Sequence, residues 1–62
     1  MSHVKMMEAR LVCPGMVFST DGYTVESVIH DRSYVTIRCV KNGHTKEATF
    51  HEYVELPIWV ED

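Results

Sequence analysis

Polar and apolar residues alternate along most of this chain, and the alternation turns back on itself at Asn42-Gly43. On one side runs Tyr34-Val35-Thr36-Ile37-Arg38-Cys39-Val40, on the other Thr45-Lys46-Glu47-Ala48-Thr49-Phe50. Asn-Gly is the favoured pair for a type I′ turn, because both central residues need positive φ. Folding about it sets Lys41 against His44, Arg38 against Glu47, Ile37 against Ala48 and Val35 against Phe50. Apolar pairs then share one face and opposite charges meet on the other.

The same period marks further strands. Leu11-Val12-Cys13 leads into a Pro14-Gly15 turn, and Met16-Val17-Phe18-Ser19 reads as a first strand. A hairpin loop at Thr20-Asp21-Gly22 follows. Tyr23 to His30 alternates, with Tyr23, Val25 and Ile29 on one face and Glu26, Val28 and His30 on the other. A three-residue loop, Asp31-Arg32-Ser33, would place Ile29 against Val35 and Glu26 against Arg38. After a short turn at His51-Glu52, Val54, Leu56, Ile58 and Val60 alternate with Tyr53, Glu55, Pro57 and Trp59. Pro57 lacks a ladder donor and belongs at an edge or a break. Residues 1–10 are polar and Met-rich and carry no capping box. They read as an N-terminal arm, either loose or forming a single helical turn.

Five short strands joined by tight turns describe an all-β domain over residues 11–62. A flat sheet this small would leave one face wet, so curling is expected. A small five-stranded antiparallel SH3-like barrel is the natural arrangement, with an OB-like barrel as the alternative.

Length sharpens this picture. A chain of 62 residues is one domain, and at that size only about 60% of the unfolded surface is buried. Most of its 45% hydrophobic residues are needed for the core. Little remains to enclose a substrate, since ligand clefts usually measure about 300 Å³ or more. The expectation is therefore a non-enzymatic protein without cofactors. Size alone fits a small accessory or regulatory factor, of phage or plasmid type.

Charge is unevenly placed. Residues 1–46 hold all six Lys and Arg and four acids, whereas residues 47–62 hold five acids, Glu47, Glu52, Glu55, Glu61 and Asp62, and no Lys or Arg. The net charge of −3 offers no broad basic field for nucleic acid. The acidic end keeps a small sheet soluble and discourages edge pairing. No signal peptide or membrane-length apolar run is visible, so the chain reads as cytoplasmic with reduced thiols.

The succession Pro14-Gly15-Met16-Val17-Phe18, Asp21-Gly22-Tyr23-Thr24-Val25-Glu26-Ser27-Val28, Lys41 to Phe50 and Val54-Glu55 resembles the N-terminal KOW-like domain of bacterial elongation factor P and its archaeal and eukaryotic relatives. The resemblance covers about three quarters of the chain and implies an SH3-like barrel. In that family a basic residue, often a modified lysine, sits at the tip of a loop between two central strands. Here the matching stretch, Asp31-Arg32-Ser33, has no lysine, and the factor's further domains have no counterpart. The resemblance therefore implies the fold and not the activity.

Candidate chemistry is sparse. His3, His30, His44 and His51 show no paired spacing of the kind structural zinc sites use, so no metal site is expected. Cys39 is expected to face the core with Val35 and Ile37. Two surfaces remain. Arg32, Tyr34, Arg38, Lys41 and Lys46 supply cations and an aromatic that suit RNA or single-stranded DNA. Tyr53, Pro57 and Trp59 would make an apolar patch for a protein partner or for self-association. The alternative for Trp59 is to close one end of the barrel. Protein binding is the leading expectation, and an RNA-, ssDNA- or ribosome-associated KOW-like module the second.

Overall fold

A computed structural model describes residues 1–61. Asp62, the last of the acidic run and of the expected domain, lies outside the described residues. The chain is all-β, in one antiparallel sheet of six strands ordered β1-β6-β2-β3-β4-β5. The strands are β1 (Ser2–Glu8), β2 (Val17–Phe18), β3 (Thr24–Asp31), β4 (Tyr34–Lys41), β5 (His44–His51) and β6 (Glu55–Glu61), with a single 3₁₀ turn at Ala9–Leu11.

The central hairpin has the register expected from its turn. Lys41 opposes His44, Arg38 opposes Glu47, Ile37 opposes Ala48 and Val35 opposes Phe50. Asn42 at φ 52° and Gly43 at φ 81° supply the two left-handed residues of a type I′ turn.

The β3–β4 hairpin differs from expectation. Its loop is the two residues Arg32 and Ser33, so Asp31 opposes Tyr34, His30 opposes Val35 and Ile29 opposes Thr36. That register alone would bring the wrong face of β3 inward. A bulge between Val25 and Ser27 absorbs one residue and restores the phase. Val25 and Val28 therefore face the core, while Ile29 is 60% exposed. Glu26, the extra residue, still reaches Arg38 at 3.5 Å.

Residues 2–8 form an edge strand rather than an arm, and the strand count rises from five to six. β1 pairs with β6 from Ser2↔Glu61 to Glu8↔Glu55. Ala9 and Arg10 then donate backbone bonds to Val54 and Glu52, which buries Ala9 completely. β6 is thus an interior strand. It tolerates Pro57 because β2 is only two residues long and pairs with Ile58 and Trp59. Beyond them, the Ser19 N–H donates to the Pro57 carbonyl.

The core comprises Ala9, Val12, Phe18, Val25, Val35, Ile37, Cys39, Leu56 and Ile58. It sits on the concave side, under β6, β3 and β4. Among the described residues β5 pairs only with β4 and β1 only with β6, so the sheet keeps two free edges. Among the described residues no helix is long and apolar enough to cross a membrane.

Candidate interaction surfaces

Alternation along β6 decides where Trp59 goes. Leu56 and Ile58 are buried, so Trp59 points outward and is 44% exposed. It does not close the end of a barrel. Val4 opposes it on β1 and Val17 on β2, and directly opposed residues share a face. Val4 is 47% exposed and Met6, two residues on, 52%. Trp59 also walls a shallow groove of about 390 Å³ with Met7, Met16, Val17 and Val60.

The expected trio of Tyr53, Pro57 and Trp59 is divided. Pro57, half-buried, keeps the outward phase of Trp59 and opposes the exposed Met6, and it also borders a second cleft. Tyr53 lies six residues from Trp59, about 20 Å along an extended chain. It joins Tyr34 instead. The Tyr34 and His51 rings meet edge to face at 5.9 Å, His51 and Tyr53 lie 5.8 Å apart, and the Arg10 guanidinium sits 5.5 Å over Tyr53. Arg10 is held by Glu8 at 2.7 Å. Arg10 was not singled out in the sequence, and His51 was read there only as a turn residue and a histidine without paired zinc spacing. His51 was legible there, because continuing the hairpin register one step past Val35↔Phe50 sets it against Tyr34. Arg10 was not, because its approach depends on β1.

The expected basic set is also split. Tyr34 and Arg38 share the outer face with Thr36, whose hydroxyl lies 3.0 Å from that of Thr49. Lys41 and Lys46 share the phase of Cys39 and project from the concave side. There they are occupied by the β2–β3 loop. Lys41 donates to the Asp21 carbonyl at 2.6 Å, and Lys46 donates to the Asp21 carboxylate at 2.5 Å. Lys46 also lies 4.2 Å over the Tyr23 ring. The Lys46 hydrogen bond, with help from the Tyr23 N–H, holds the Asp21 carboxyl below its ordinary range, and the same bond raises Lys46. Arg32 stands alone at the β3–β4 tip with φ 59°.

Under the Asp21–Lys46 clasp lies the second cleft, about 190 Å³. Phe18, Ile37, Cys39, Phe50 and Leu56 line it. Ala48, on its β5 side, is exposed although it opposes the buried Ile37. Burial pushes the Cys39 thiol up, and its Sγ lies 3.7 Å from the Lys46 carbonyl. Such a thiol is a poor nucleophile at neutral pH. Cys13 is a free exposed thiol. Among the described residues no three of His, Cys, Asp and Glu are grouped to hold a metal ion.

No protein-family model, curated protein or solved structure matches this chain.

Proposed function

We propose that this chain is a non-enzymatic SH3-like β-barrel module that acts by binding another protein, in a reducing, cytoplasmic setting suited to its two free thiols. The outward Trp59 carries this reading. A lone outward tryptophan in a row with the exposed Val4 and Met6 has the composition of an interface anchor. The core thiol is deactivated by burial.

Trp59→Ala tests it directly. The indole faces outward, so the variant keeps the native amide spectrum. In a quantitative pull-down from the source cells, it should fail to retain proteins that the parent chain retains. Equal retention by both chains sinks the reading.

The Tyr34–His51–Tyr53 ladder with Arg10 favours a second reading, a KOW-like RNA- or ssDNA-binding module, because bases stack on exposed aromatics. Salt-dependent binding of oligouridine, lost in Tyr34→Ala, would support it, and salt-independent or absent binding would remove it.

A further inference from the structure

We infer that the free edge of β5 is a docking site for an extended segment of a partner protein, one that carries a large apolar residue next to a lysine or arginine. This goes beyond the Trp59 reading, because it concerns the opposite edge of the sheet.

Backbone chemistry comes first. The type I′ turn bonds Lys41 to His44. Bonded pairs alternate along an antiparallel ladder, so Cys39–Lys46, Ile37–Ala48 and Val35–Phe50 are also bonded pairs. The N–H and C=O groups of Thr45, Glu47 and Thr49 therefore point away from β4, toward the unpaired edge. A seven- or eight-residue edge is normally guarded by an inward-pointing charge. β1 has that guard, since Lys5 opposes the fully buried Ile58. The equivalent inward lysine of β5, Lys46, is drawn aside by Asp21 and Tyr23. The β5 edge is left open.

Side-chain chemistry selects the occupant. A strand added to β5 continues its alternation. The residue opposite Ala48 points to the concave side, over the cleft of about 190 Å³ and its apolar lining. An apolar cavity of about 150 Å³ holds a benzene ring, so a leucine, isoleucine or phenylalanine side chain is the right scale. The next residue faces outward, opposite Glu47. Arg38 forms its ion pair with Glu26, and Glu47 keeps no ion pair among the described residues, so a lysine or arginine completes the site there. A second copy of the chain fits badly. Two-fold pairing about Ala48 sets alanine against alanine and leaves the cleft empty, and pairing about Glu47 opposes like charges.

The test is a phage-displayed library of random decapeptides selected against the folded full chain, with enriched decamers then synthesised. They should carry Leu, Ile or Phe beside Lys or Arg, and should perturb the amides of Thr45, Glu47 and Thr49. Glu47→Pro removes an outward N–H without touching the β4 ladder and should weaken binding about tenfold. Glu47→Lys should switch the preferred neighbour to Asp or Glu, and Ala48→Leu should block the cleft. These two variants carry the test if Glu47→Pro does not fold. Trp59→Ala should leave decamer binding intact, which separates this site from the previous one. The inference fails if the decamers bind all three β5 variants equally, or depend on Trp59. It also fails if sedimentation shows a self-paired dimer that Glu47→Pro dissolves.

Discussion

Arg32 holds a left-handed backbone, φ 59°, at an exposed two-residue turn. A non-glycine residue there costs about 1 kcal/mol or more, partly offset by the entropy that glycine would bring to the unfolded chain. Arg32→Gly should therefore stabilise the fold by about 0.5 kcal/mol, read as a higher urea midpoint at unchanged slope. The Asp21–Lys46 pair sets a pH dependence. The Asp21 carboxyl is lowered from an ordinary 3.8, so its contribution is present above that value and lost as pH falls through the folded pKa. Lys46 is raised from 10.5, so its contribution is complete below that value and lost as pH rises through the folded pKa. Asp21→Asn should flatten both limbs of the stability curve, while the neutral plateau moves little because the pair is solvent-exposed. Single residues were unevenly legible. The inward Cys39 follows from the hairpin register, but the clasp needs Asp21 and Lys46, 25 positions apart, to meet across a curled sheet. Nothing local signals that meeting.

At the scale of elements, the Asn42-Gly43 hairpin was the most legible part, because turn chemistry, apolar pairing and charge pairing all specify one register. A Cβ at Gly43 would meet nothing within 4 Å, so its constraint is purely conformational at φ 81°. Gly43→Ala should cost about 1–2 kcal/mol, measurable by chemical denaturation. The β3–β4 hairpin was legible only in part. Counting from its loop fails because a bulge consumes one residue at Glu26, and no residue preference announces a bulge in Val25-Glu26-Ser27. β1 was missed for a different reason. Ser2-His3-Val4-Lys5-Met6-Met7-Glu8 is exposed along most of its length, so it lacks the alternation that burial imposes. Its partner β6 is more than forty residues away in sequence. Without β1, neither the Val4–Trp59 row nor the Arg10–Tyr53 contact could be placed.

At the scale of the whole molecule, nine buried side chains make up the core among the described residues. A core this size rarely supplies more than about 3–5 kcal/mol, and truncating a buried isoleucine costs about 2–5 kcal/mol. Ile58, on β6 between β1 and β2, is fully buried, so Ile58→Ala should unfold much of the population at room temperature, seen as collapse of amide dispersion. The all-β class was legible from period and turn residues alone. Which strands stand at the two ends of the sheet was not, because β1 went unread as a strand. The outward set of the single indole has a practical consequence. Its surroundings are already half aqueous before denaturation, so heating should shift its emission only slightly. A blue shift at constant temperature would instead report a groove being covered, which makes Trp59 a built-in fluorophore for contact rather than for melting.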